Sequence, residues 1–125
     1  MADGSAKARF IRPNVLEIVW AGVIDGVCVV DADQQVAALL AKNERIRFLI
    51  QDALDVVTYR PSVAGPAAQL MKRIREHGGK EFVLVTRSAA IRMMAGTIAF
   101  GAGMTIHTAA DRAAALAIVT ERVPG

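Results

Sequence analysis

The sequence holds a single cysteine, Cys28, in 125 residues. One cysteine excludes an internal disulfide and a cysteine-based metal site, and its simplest reading is a small apolar core residue. Aromatic residues are scarce at 5% of the chain, with one tryptophan, Trp20, and one tyrosine, Tyr59. That scarcity argues against nucleic-acid binding by base stacking, and a net charge of +3 spread along the chain supplies no concentrated basic patch. The densest basic run, MKRIREHGGK (71–80), reads as the solvated face of a helix whose other side carries Leu70, Met71 and Ile74. No apolar run reaches the ~18 residues of a membrane span. The opening MADGSAKARF lacks the apolar segment of a secretory signal, so a cytoplasmic protein is expected. The two histidines, His77 and His107, lie far apart without metal-ligand spacing, and no metal or other cofactor is expected. No nucleophile has a partnered base and no two carboxylates stand at suggestive spacing, so the chain does not read as an enzyme. GTIAFGAG (96–103) is glycine-rich but lacks the Lys-Ser/Thr pair of a phosphate-binding loop.

What is present is a hydrophobic fraction of 54%, enough for one ordered domain with its own core. Residues 1–7 read as a flexible tail. ARFIR (8–12) and VLEIVWAG (15–22) read as strands joined by a Pro13-Asn14 turn, with Leu16, Ile18 and Trp20 alternating onto one face. A helix is expected from about Gly26 to Asn43, capped by Asp25, because Val29, Ala32, Val36, Leu39 and Leu40 fall at helical spacing. A strand over 27–30 is the rival reading. RIRFLIQDAL (45–54) and EFVLVT (81–86) are apolar enough for strands covered on both faces. PAAQLMKRIREH (66–77) is helical, with Pro66 at its first position and Gly78-Gly79 at its end. Ser88 caps a helix over 89–100, MTIHT (104–108) is a short strand, and Thr108 with Asp111 forms a capping pattern for a helix over 109–122. The order β-β-α-β-α-β-α-β-α implies an α/β fold: a mixed sheet, mostly parallel, with an N-terminal antiparallel edge hairpin.

Between the third strand and second helix stands VVTYRPSVAGP (56–66). Together with Asp52 in FLIQDAL, Gly78-Gly79 before EFVLVT, and TIHTAADRAAALAIV at the end, it resembles the pattern of the STAS domain, the fold of anti-sigma-factor antagonists and stressosome scaffold proteins. The resemblance covers residues 8 to 122 as a single domain of about 4–5 strands and four helices. Counting back from Gly78-Gly79, the second serine of the family's Asp-Ser-Ser-Gly motif falls on Ser62. The rest of the motif departs: the chain reads Arg60-Pro61-Ser62-Val63, with a basic residue for the acidic one and a β-branched residue for the glycine.

The resemblance implies a regulatory protein-interaction module, with an anti-sigma kinase or another STAS protein as partner. Docking would use the loop at 56–65 and the helix after it, through Tyr59, Arg60, Ser62 and Val63. Ser62, with Thr58 beside it, is the phosphoacceptor candidate. A phosphate adds about −1.5 to −2 charge, stabilised at a helix N-terminus. The alternatives read from the residues stay open. Ser62 can simply bond loop backbone, Tyr59 can be a half-buried ring, and Asp52 can support the switch loop or cap a neighbouring turn. The lost motif and the apolar MMAGTIAFGAGM (93–104) leave room for a second function, a small-molecule or lipid-binding domain of the same fold. Sheet edges and alanine-rich helices leave a homo-oligomer open as well.

Overall fold

Pro13 and Asn14 reverse the chain between two strands, and Asn14 takes the left-handed backbone (φ 67°) that asparagine tolerates. The structure, a computed structural model, describes residues 3–42 and 45–123. Strand β1 (Ser5–Arg12) lies antiparallel to β2 (Val15–Ile24), with Ser5 opposite Ala21 and Phe10 opposite Leu16. The expected tail is therefore corrected from residue 3 onward. Asp3 bridges Val23, Ser5 to Lys7 pair with β2, and Ala6 is buried; Met1 and Ala2 lie outside the described residues. Helix α1 (Gly26–Leu40) follows, and the Asp25 carboxylate accepts from the Cys28 amide at 3.0 Å as its N-cap. Its buried residues are Val29, Ala32, Val36 and Leu40, so the helical periodicity prevails over the β-rich VCVV. The expected helix end at Asn43 falls outside the described residues.

Strand β3 (Phe48–Tyr59) runs five residues past its expected end at Leu54. Val56, Val57, Thr58 and Tyr59 are β-formers, and β2 supplies partners for Val56, Thr58 and Tyr59 at Gly22, Val23 and Ile24. The 56–65 segment is thus not a loop: its first part is strand, Pro61–Val63 is a 3-10 turn, and α2 (Ala64–Glu76) starts at once. Pro66 becomes the third helical residue instead of the first, still within the turn whose N–H groups have no intrahelical acceptor. Strand β4 (Glu81–Val85), helix α3 (Ala89–Ala102) and strand β5 (Thr105–Ala109) complete the alternation. The Ser88 hydroxyl caps α3 by accepting from the Ile91 amide at 3.2 Å. Helix α4 (Arg112–Arg122) begins later than expected: Thr108 stays in β5, and Asp111 is the cap, accepting from Ala114 at 2.8 Å.

The sheet order is β1-β2-β3-β4-β5, with β2 through β5 parallel. Because the order never reverses, right-handed crossovers put α1, α2 and α3 on the same face. That face holds Leu16, Ile18, Trp20, Leu49, Phe82 and Leu84 from the strands. Helix α4 covers the other face over Val15, Phe48, Ile50, Val83 and Val85. Strand β2 is covered on both sides, and Val15, Leu16, Glu17 and Ile18 have no exposed surface. Among the described residues no helix is long and apolar enough to cross a membrane.

Glu17 is the charge in that interior. Its Oε1 accepts from Arg9 Nε at 3.2 Å and its Oε2 from Arg112 Nε at 2.9 Å, which ties the hairpin to α4. Both arginines reach solvent while the carboxylate does not. Removing the two partners costs more than removing the charge itself. The double substitution Arg9→Ala/Arg112→Ala strands a buried carboxylate and should lower stability by about 3–5 kcal/mol in urea denaturation, while Glu17→Met should be neutral or stabilising.

Candidate functional site

Strand β3 outruns β4. Its last pairing with β4 is Asp52 to Val85, while its pairing with β2 continues to Tyr59 opposite Ile24. Two irregularities in the β2–β3 register, between Val19 and Ala21 and between Gly22 and Val23, each add a residue to β3. Such insertions bend and twist a strand and re-aim its side chains. Each insertion reverses the alternation and the two together restore it, so Tyr59, like Leu49 and Ala53, points to the face covered by α1, α2 and α3. The Arg60 amide then donates to the Ile24 carbonyl at 2.7 Å, and the 3-10 turn closes with Val63 N–H on the Arg60 carbonyl at 3.1 Å.

That geometry carries Ser62 to the start of α1. Its hydroxyl accepts from the Gly26 amide at 3.0 Å, so one of the unpaired N–H groups of α1 is satisfied by a side chain from the entry to α2. The approach is close enough to require glycine: a Cβ on Gly26 would stand 2.7 Å from the Ser62 carbonyl oxygen. Beside this junction Val27 is 77% and Val30 is 45% exposed, both large apolar side chains facing water. Together with Asp25, Gly26, Ser62 and Pro66 they line a shallow depression of about 350 Å³. Backbone and side-chain hydrogen bonding with Cys28 holds the Asp25 carboxyl below its usual range. Burial pushes the Cys28 thiol up, away from the thiolate a reactive cysteine needs.

The residues singled out in the sequence do not form one surface. Ser62 and Arg60 are exposed. Val63 is 2% exposed and belongs to the core, so it offers nothing to a partner. Tyr59 turns inward and packs on the same core. Thr58 pairs with Val23, and strand alternation aims it away from Tyr59, to the α4 side of the sheet. Asp52 sits on that α4 side too, next in alternation to Phe48 and Ile50, and its carboxylate accepts from the Leu54 amide at 3.1 Å. It braces the irregular stretch of β3 instead of supporting Ser62. Asp25, Gly26, Val27 and Val30 were not singled out as site residues. The available signal was that Val27 and Val30 lie off the buried stripe of α1, apolar positions with no place in the core.

No protein-family model and no curated protein matches the sequence. Solved structures do match. A protein of the DUF3478 family with a SpoIIAA-like fold, from Shewanella loihica, superposes with a TM-score of 0.73 at 10% identity, covering 94% of this chain and 96% of that one. An anti-sigma factor antagonist from Mycobacterium paratuberculosis gives 0.65 at 18% identity, covering 94% of each chain. The Bacillus cell-fate determinant SpoIIAA in its phosphorylated form gives 0.66 at 14% identity, covering 91% of this chain and 99% of that one. The fold is therefore SpoIIAA-like, as the STAS resemblance implies.

Two measurements check the site geometry. Gly26→Ala should force α1 and the Ser62 turn apart and destabilise the fold by about 1–3 kcal/mol in a thermal or urea melt, the usual cost of overpacking. Burial alone pushes the Tyr59 phenol from 10.0 up to about 12. The folded chain then holds this proton where the unfolded chain has released it, so stability should fall as pH rises from 10 to 12. Since Tyr59 is the only tyrosine, phenolate absorbance reads the titration directly; a midpoint near 10 would place the ring in water.

Proposed function

We propose that this chain is a non-enzymatic regulatory module that docks a partner protein on the ridge where the N-termini of α1 and α2 meet. The observation that carries the reading is the Ser62–Gly26 hydrogen bond flanked by exposed Val27 and Val30. It supplies an apolar contact patch with a fixed polar group at its centre, the composition that interfaces favour. The likeness in fold to an anti-sigma factor antagonist, and to SpoIIAA in a phosphorylated form, supports a partner of the anti-sigma kinase type or a second protein of the same fold. Ser62 is the phosphoacceptor of this reading. Its hydroxyl is exposed, and it already occupies a helix N-terminus, where negative charge is favoured. A phosphate there would also meet the Asp25 carboxylate, so modification would alter the charge and the packing of the ridge at once. Thr58, on the other face of the sheet, is outside this ridge.

The test pairs two experiments. Intact-mass and phosphopeptide analysis of protein from its native cells should find phosphate on Ser62. Val27→Glu and Ser62→Asp should each abolish cross-linking to the native partner while leaving the melting temperature within a few degrees. A partner captured equally by wild type and by Val27→Glu would remove the ridge from the interface.

A further inference from the structure

Behind Tyr59 the core is incompletely filled. A cavity of about 50 Å³ lies between the sheet and helices α2 and α3, several times the ~10–15 Å³ that one water requires. Ala67 and Ala95 are the small side chains of its lining, which also includes Trp20 and Leu84. Its lining is apolar with a polar patch: Trp20 Nε1 donates to Gln51 Oε1 at 3.2 Å, and the Gln51 amide and Tyr59 phenol bring further donors. A second, open space of about 370 Å³ adjoins it on the outside, lined by Arg60, Pro61, Ala64 and Thr97. The two spaces share Tyr59, Val63, Met94 and Ile98. Met94, unbranched and freely rotating, is the softest part of that boundary. No acidic residue lines either space, and Arg60 makes no ion pair among the described residues.

We infer that these two spaces form one binding site for a small amphiphile with an anionic head, the head on Arg60 and the apolar tail reaching past Met94 toward Trp20 and Gln51. The outer space alone falls in the size range of ligand pockets, and an apolar cleft with few convergent polar groups is their usual make-up. Arg60 is the charge that selects the ligand, since a guanidinium pairs with carboxylate and phosphate oxygens alike. The site is independent of the docking ridge: Val27 and Val30 line neither space, and the Val27→Glu variant leaves it whole.

Trp20 is the only tryptophan and lines the inner cavity, so its fluorescence reads occupancy directly. The purified full chain is titrated with octanoate, octyl phosphate and, as the uncharged control, octanol. Octanoate or octyl phosphate should give a saturable change in Trp20 emission, the tighter of the two identifying the head group. Arg60→Ala should weaken the anionic probes by about tenfold or more while leaving octanol unaffected. Ala95→Leu should fill the cavity and abolish the response to all three; circular dichroism confirms that this variant is folded, and exposed Arg60 provides the test if it is not. A flat Trp20 signal with both anionic probes, octanol binding as tightly as octanoate, or wild-type affinity in Arg60→Ala would each overturn the proposal.

Discussion

Glu17 brings a carboxylate into a place that water does not reach, and the architecture is arranged around neutralising it. The residue stands on β2, the strand covered on both faces, between Val15 and Ile18 with no surface of its own. Its two oxygens are met separately, one by Arg9 from the hairpin and one by Arg112 from the first turn of α4. A buried charge is tolerated only when it is paired and hydrogen-bonded. The pairing fixes how far α4 lies over the back of the sheet and keeps β1 registered on β2. The opposite face needs no such device, because α1, α2 and α3 cover it with an apolar core that the crossovers place automatically.

The unequal lengths of the strands account for what happens at the far end of the sheet. Strands β2 and β3 continue together beyond the end of β4, and the extra residues in β3 turn its last side chains as the chain advances. Tyr59 enters the core under α3 while Ser62, three residues on, reaches back to α1. The turn between them separates two spaces, with Arg60 lining the one beside Tyr59 and Ser62 lining the one beside Val27.

The order of elements was legible because each helix and strand carries its own periodicity. The stripe Val29-Ala32-Val36-Leu40 and the alternation of Leu16, Ile18 and Trp20 are local patterns, and local patterns suffice for an alternating fold. The caps at Asp25 and Ser88 were readable for the same reason. The site was less so. Val56 to Tyr59 stand next to Pro61, and whether they are strand or loop depends on β2 extending to Ile24 beside them, a fact about pairing at a distance. Asp52 matches the family pattern at the end of a central strand, where support of the switch loop is expected, but strand alternation sends it to the other side of the sheet. The Ser62–Gly26 contact spans 36 positions and leaves no local trace beyond a glycine after an aspartate, which reads equally well as an ordinary helix start.

The two arginines that hold Glu17 are separated from it by very different lengths of chain, eight residues for Arg9 and 95 for Arg112. During synthesis the hairpin and its first arginine emerge before the second arginine, which lies 95 residues beyond Glu17. Until then the carboxylate has half its partners, and Phe48, Ile50, Val83 and Val85 have no helix above them. The α4 side of the sheet therefore closes only after α4 itself has been made. A nascent chain stalled before Arg112 carries an open apolar sheet with a half-neutralised charge at its centre, the kind of surface that chaperones hold.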